Sequence, residues 1–431
     1  MAGHGHIDDA FDYELCVFPP ALAESPDLLH EPQKANFADA IWANIPNKDV
    51  EIPKPAQYVI DGGALLHRIP WTRGEKFDRI LKSYTGYVHK KYGKAVVVFD
   101  GYCSASTKDM AHRRRAKGKL GPTVSFTREM CLTVAKDIFL SNPMNKQNFL
   151  KQLGDDLQAT GCETFYASSD ADVLIAQKAI ESASVQDTVL VGDDTDLLVL
   201  LLYHTNPIGK GLFFAPEPKK NAKQRVWDLK QAKRDIGPFV CKHILFLHAL
   251  LGCDTTSRFF GIGKAAILKK FRTNTVLQQS AKVFDDGKKN ESLNALRLRK
   301  YCEKVAKSLH RVEGKSLPPT RAASKFHSYR VYLQICQWKN PQCNLQEESW
   351  GWKLTDSGYS PVLTDLPPAP AELLKVIRCD STTDCTSARC TCRKNGLKCT
   401  LACGHCQGTS CTNGSTVDVA EEDSDEADDQ D

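Results

Sequence analysis

The sequence lacks any apolar stretch approaching the roughly 20 residues that a membrane-crossing helix needs. Its opening, Met1-Ala2-Gly3-His4-Gly5-His6-Ile7-Asp8-Asp9, also lacks the charged-then-apolar order of a secretion signal. These two absences lead us to expect an intracellular chain with no membrane partner. Acid is scarce over most of the length: nine acids and no Lys or Arg fall between Asp418 and Asp431, leaving 57 bases against 43 acids elsewhere, a net charge of +14, where the whole chain carries +5. A basic excess of that size favours polyanionic partners, nucleic acid foremost. What is present in ordinary amount, 42% hydrophobic and 25% charged residues over 431 positions, suits a folded protein with a sizeable core and room for two domains.

Cysteine is distributed in two ways. Nine of the 17 are scattered from Cys16 to Cys343 and read as small buried hydrophobes, whereas eight crowd between Cys379 and Cys411. Their spacing, Cys379-x5-Cys385-x4-Cys390-x-Cys392-x6-Cys399-x3-Cys403-x2-Cys406-x4-Cys411, is too dense for core packing and is that of thiolate ligands to Zn²⁺ in a reducing compartment.

The rest of the chain divides by pattern. Residues 1–55 have no sustained period and read as an irregular lead-in. From Ala56 onward, the short apolar runs Tyr58–Ile60, Ala95–Phe99 and Thr188–Val191 are separated by helix-length segments, which predicts an α/β domain with a parallel sheet over 56–275. Within it, Ser125–Phe139 reads as a helix, and 246–271 as two helices flanking a glycine turn. Residues 276–355 read as a helical extension, with a basic amphipathic helix at 293–310 and another helix at Arg321–Trp338. A Pro-rich linker follows at 356–375, then the cysteine module at 376–414 and an acidic tail at 415–431 that is expected to be disordered.

Acids occupy telling places. Asp61 directly follows one strand, Asp100 another, and Asp193, Asp194 and Asp196 follow a third. In an open α/β sheet the C-terminal strand ends line one crevice, so acids far apart in sequence can converge there. Asp170 and Asp172, ahead of a helical pattern, can face the same crevice. Taken singly, each is an ordinary turn or first-turn acid. As a set they would repel one another unless cations made them jointly favourable, and hard oxygen donors without matching His suit Mg²⁺ or Mn²⁺.

Five ordered motifs carry a resemblance: Val59-Ile60-Asp61-Gly62; Val97-Val98-Phe99-Asp100-Gly101; Asp170-Ala171-Asp172; Gly192-Asp193-Asp194-Thr195-Asp196-Leu197-Leu198; and Leu251-Gly252-Cys253-Asp254, continuing to Gly261-Ile262-Gly263-Lys264. Over residues 56–275 the chain resembles the flap-endonuclease superfamily of PIN-like nucleases. The resemblance implies a Rossmann-type parallel sheet with a helix-hairpin-helix, and two divalent ions held by Asp61, Asp100, Asp170, Asp172, Asp194, Asp196 and Asp254. It also implies an arch after Asp100 whose Lys108 and Arg114 steer a phosphate, and duplex contacts from Gly261, Gly263 and Lys264. Two features depart from the family. No counterpart of its N-terminal Met-Gly start and first helix precedes Asp61, and Asp170 stands where Glu is more usual.

Residues 390–413 resemble the second half of the tesmin-type, cysteine-rich CXC domain, which implies shared zinc ions and DNA contacts from Arg393, Lys394 and Lys398. An expected Cys-x-Cys pair is reduced to Cys379, and His405 is a candidate replacement ligand. Together these resemblances imply a divalent-metal-dependent, structure-selective nuclease acting on DNA in the nucleus, with RNA left open as a second partner. The alternative is a DNA-binding regulatory protein that keeps the nuclease fold with weak or no turnover.

Overall fold

The computed structural model describes residues 12–101, 106–108, 110, 111, 114, 121–168, 170–206, 208–218, 223–260, 263–275, 278, 314–340, 342–356, 358–370, 378–382, 384–387, 389–394, 398, 399 and 403–414. The basic helix expected at 293–310 and the acidic tail lie outside them. Two units are present, one of 21–291 with 323–363 and a second that includes the cysteine module.

In the larger unit, β1 (Ala23–Ser25) and β2 (Leu28–Leu29) form a short hairpin before helix α1 (Ala35–Ala43). Then come β3 (Gln57–Asp61), α2 (Gly62–Arg68), α3 (Phe77–Tyr92), β4 (Val96–Phe99), α4 (Lys136–Leu140), α5 (Pro143–Ala159) and β5 (Glu163–Tyr166). The chain continues through α6 (Asp172–Ala183), β6 (Thr188–Val191), α7 (Thr195–His204), β7 (Leu212–Phe214) and β8 (Trp227–Asp228). Four helices, α8 (Leu229–Ile236), α9 (Pro238–Lys242), α10 (Ile244–Leu250) and α11 (Lys264–Thr273), precede α12 (Arg321–Lys339) and a hairpin of β9 (Trp352–Thr355) and β10 (Gly358–Pro361).

Six strands form one sheet in the order β5-β4-β3-β6-β7-β8, parallel except for β8. The expected parallel α/β architecture is therefore present. Its cause is visible in the strands themselves. Val96–Phe99 and Thr188–Val191 are buried along their whole length, as strands covered on both faces must be. Successive side chains serve opposite cores: Val59, Val96, Val98 and Leu190 face one, while Ile60, Val97, Phe99, Val189 and Val191 face the other. Helices α1, α6 and α7 cover the first face, and α3 and α5 the second. From β3 the chain moves outward through β4 to β5, then returns to place β6 on the opposite side of β3. That reversal opens a crevice at the C-terminal ends of β3 and β6.

Three expectations change. The lead-in is not irregular where it is described: α1 buries Phe37 and Ile41, one turn apart, against the core and packs on α7 and α11. Its N-terminus has neither a capping side chain nor an acid in its first turn, so the local signals of a helix start are missing. The helix expected at Ser125–Phe139 shrinks to α4. Within 125–139, Arg128 O instead accepts from Asp78 N at 2.9 Å and Met130 O from Phe77 N at 3.0 Å, and just ahead of it the amides of Asn142 and Asn145 hold Gly121 O, Pro122 O and Val124 N. Near its middle, Leu132 N donates to Glu75 O at 2.9 Å. Tertiary hydrogen bonds thus take the backbone groups that a helix would use. Finally, β10 falls where the linker was expected, and the fully buried Arg330 donates to Gly351 O and Val362 O, joining α12 to the β9–β10 hairpin. Among the described residues no helix is long and apolar enough to cross a membrane.

Candidate metal centres and nucleic-acid interface

Three acids of the crevice, Asp61, Asp100 and Asp194, are fixed by backbone N–H groups. Asp61 closes β3 and caps α2, accepting from Gly63 N at 2.8 Å and Ala64 N at 3.2 Å. Asp100 follows β4 and accepts from Ala171 N at 3.1 Å, which ties the end of β4 to the start of α6. Asp194 caps α7 and accepts from Asp196 N at 3.0 Å, while Asp196, in the first turn, is only 1% exposed. Asp172 opens α6, and Asp254 follows α10; both are buried.

The seven acids meet. Asp172, Asp194 and Asp196 each offer an oxygen within 4.8 Å of the others. A Cβ built on Gly63 would lie 3.1 Å from Asp61 Oδ1 and 3.5 Å from Asp100 Oδ2, so these two carboxylates flank one glycine. Lys108 Nζ lies 2.7 Å from Asp170 and 2.8 Å from Asp172. Lys34 Nζ lies 2.8 Å from Asp194, 3.3 Å from Asp196 and 3.1 Å from Asp254.

The electrostatics follow from this crowding. Burial, together with the neighbouring Asp100, pushes the Asp61 carboxyl up to about 7. Burial and Asp170 raise Asp172, and burial and Asp196 raise Asp194. For Asp196 burial is outweighed by Lys34 and His248, which hold it well below the usual carboxylate range. For both lysines burial is outweighed by the surrounding carboxylates, and each stays a firmly charged ammonium. Behind Asp196, the fully buried His248 places Nε2 at 2.7 Å from Oδ1, and its Nδ1 faces Lys264 Nζ at 3.2 Å. Burial and the Lys264 charge lower His248 to about 4, so at neutral pH Nε2 donates to Asp196 and Nδ1 accepts from Lys264.

The carboxylate set suits hard divalent ions: several convergent oxygens, buried, with mutual repulsion that a cation would relieve. The second centre is chemically different. In the smaller unit, Cys379, Cys390, Cys392 and Cys399 form one group of mutually close thiols, and Cys379, Cys385, Cys399 and Cys406 form another. A tetrahedral ion with roughly 2.3 Å metal–sulfur bonds needs sulfurs roughly 3.8 Å apart. The Sγ atoms of Cys385, Cys399 and Cys406 each lie 3.8 Å from that of Cys379, and Cys390 lies 3.5 Å from Cys399. Cys403 approaches Cys392 at 3.5 Å, and Cys411 packs against the cluster. All described cysteines are free thiols.

Not every expected site residue takes its expected place. His405 is exposed and outside both thiol groups, which are complete without it. Lys264, expected on a phosphate, is 4% exposed and donates to Gly252 O at 2.5 Å and to His248, so it supports Asp196 from inside. Gly263 caps α11, while Gly261 lies outside the described residues. Lys108 is buried in the acid crevice rather than on an open arch. Arg114 donates to Leu29 O at 2.6 Å and Glu24 at 3.1 Å, and lines an open cleft of about 420 Å³ beside Asp254. Arg393 and Lys398 are exposed; the side chain of Lys394 lies outside the described set. Two residues escaped the sequence reading. His248 carried a signal, a lone imidazole in the apolar run Ile244–Leu250, which must find a polar partner when buried. Lys34 carried none.

A pH dependence follows from Asp61. Its folded value of about 7 exceeds the unfolded value near 3.9, so the native state binds the extra proton between them. The metal-free protein therefore loses stability as pH rises through that window, by up to about 1.4 kcal/mol per unit. Urea unfolding in chelator should show Asp61→Asn more stable than wild type at pH 8, with the gain shrinking toward pH 4. A difference that does not change with pH would contradict a charged, buried Asp61.

No family model matches this chain, and no curated protein matches it. Among solved structures, the catalytic core of Rad2 in complex with a DNA substrate aligns over 64% of this chain and 80% of its own, at 12% identity and a TM-score of 0.39. Human GEN1 in complex with Holliday junction DNA aligns over 74% and 85%, at 11% identity and 0.35. The T5 D15 protein co-crystallised with metal ions aligns over 53% and 78%, at 16% identity and 0.32. At TM-scores below 0.5, what the crevice does is read from its own side chains.

Proposed function

We propose that the chain is a divalent-metal-dependent nuclease acting on DNA, with a zinc-bound module as a second DNA contact. The observation that carries this reading is the convergence of seven acids, Asp61, Asp100, Asp170, Asp172, Asp194, Asp196 and Asp254, on one crevice at the reversal point of a parallel sheet. No fold needs such a cluster for stability, since buried like charges cost free energy. These residues would hold two Mg²⁺ or Mn²⁺ ions, which when bound activate water and stabilise the departing oxygen of a phosphodiester. The protein's own part is to position. His248 and Lys264 fix the rotamer and charge of Asp196, Asp61 and Asp194 are locked as helix caps, Lys108 holds Asp170 and Asp172 together, and Arg114 places positive charge on the cleft beside Asp254.

In the smaller unit the two thiol groups share Cys379 and Cys399, which supports at least two Zn²⁺ ions bridged by common thiolates. Arg393 and Lys398 on its exposed surface suit a phosphate backbone. A basic, DNA-directed chain of this kind would work in the nucleus. A regulatory DNA-binding reading without turnover has one observation in its favour: two lysines already pair with five of the seven acids.

Cleavage of branched and flapped DNA with Mg²⁺ or Mn²⁺ decides between them. The Asp194→Asn, Asp196→Asn double variant should lose about 10³-fold or more in rate, because the ions supply most of the charge stabilisation, while DNA binding by gel shift survives. Wild type that cuts nothing, or a double variant that cuts as well as wild type, would move the assignment to the regulatory reading. For the module, elemental analysis of the purified chain should find at least two zinc ions, and Cys379→Ser should lower the count; a zinc-free chain would remove that assignment.

A further inference from the structure

Lys34 is placed by the fold rather than by chance. It stands at the N-cap of α1, whose Phe37 and Ile41 are fully buried, so the backbone from which the side chain springs is fixed. The side chain, 14% exposed, brings its ammonium to 2.8 Å from Asp194 Oδ2, 3.1 Å from Asp254 Oδ2 and 3.3 Å from Asp196 Oδ2. A divalent ion bound to these oxygens at roughly 2.1 Å would occupy a volume overlapping that of the ammonium. The two cations exclude one another. On its other side Lys34 lines the open cleft of about 420 Å³, together with Asn36, Arg114 and Asp254, so the ammonium has solvent-filled space within reach of its four-carbon stem.

We propose that Lys34 is the resident cation of the Asp194–Asp196–Asp254 subsite. It gathers these three carboxylates before a metal ion arrives, competes with the ion for them, and swings into the cleft when the ion takes its place. The proposal rests on the metal-centre reading above and deepens it. It assigns one of two cation subsites a built-in competitor, and makes ion affinity there depend on a residue outside the acid motifs. In the displaced position the ammonium faces the cleft beside Arg114, where a phosphate oxygen would meet two positive charges instead of one. Lys108 differs: it serves Asp170 and Asp172 and does not line the cleft.

The test uses the full chain and Mn²⁺ alone. By calorimetric titration, Lys34→Met, of similar length but uncharged, should bind its weaker Mn²⁺ at least roughly tenfold tighter than wild type, since a competing cation is gone. Without metal its Tm should fall below wild type, because three carboxylates have lost their partner; saturating Mn²⁺ should close that gap. In wild type itself, saturating Mg²⁺ should raise the rate of Lys34 amine acylation, followed by mass spectrometry, a readout that holds even if the variant folds poorly. Unchanged Mn²⁺ affinity in Lys34→Met, with a Tm deficit that metal does not repair, would make Lys34 a permanent structural ion pair and overturn the proposal. Unchanged acylation of wild type on Mg²⁺ saturation would overturn it equally. Failure of both proteins to bind Mn²⁺ would instead overturn the metal-centre reading and this inference with it.

Discussion

Seven carboxylates brought to one crevice repel one another, and much of the surrounding structure can be understood as what makes that repulsion tolerable. Backbone amides at two helix starts take up charge from Asp61 and Asp194. Lys34 and Lys108 bridge five of the seven acids, and a buried Lys264–His248 pair stands behind Asp196. The compensation is uneven. Asp196 is held firmly ionised, whereas Asp61, Asp172 and Asp194 are pushed toward protonation by burial and by one another. Groups displaced from their ordinary charge state in this way respond strongly to an added divalent cation.

The sheet imposes the convergence. Parallel strands aim their C-terminal ends the same way, and the reversal of strand order beside β3 leaves an open seam there. Close packing then fixes the acids within that seam. A side chain at Gly62 would meet the Phe99 ring at 2.2 Å, and one at Gly192 would meet Leu197 at 2.6 Å and Asp61 Cβ at 3.3 Å. At Gly101 it would strike the carbonyl oxygens of Ala167 and Ser168. Asp61 and Asp100 therefore each sit beside a glycine, and Asp194 two residues after one, because neighbouring elements approach too closely for anything larger. The cysteine module solves a related problem with soft donors: thiols too close together to be comfortable as thiolates, and well spaced for tetrahedral ions.

Much of this was legible in the sequence where the signal was local. Uninterrupted Val-rich runs announced buried strands, and acids directly after them announced the crevice. The Arg321–Trp338 pattern became α12, and the dense thiols became one buried cluster. What the sequence hid was decided by distant partners. Lys34 looks like any surface lysine until α1 docks on α7 and α11, and α1 itself had no local start signal. Lys264 follows a glycine turn, as a phosphate ligand would, yet α11 turns it inward to His248. The stretch after Ser125 reads as a helix, but Glu75, Phe77 and Asp78 draw its backbone at Arg128, Met130 and Leu132 into other hydrogen bonds.

If the carboxylate crevice holds divalent metal as proposed, Lys34 must yield its place to the ion. Crystals of the full chain grown in Mn²⁺, with anomalous diffraction recorded at the manganese edge, address this most directly. Manganese peaks bounded by Asp172, Asp194 and Asp196, with Lys34 drawn away from Asp194, are the predicted result. A map with no manganese in the crevice, and Lys34 still bonded to the aspartates, would contradict it.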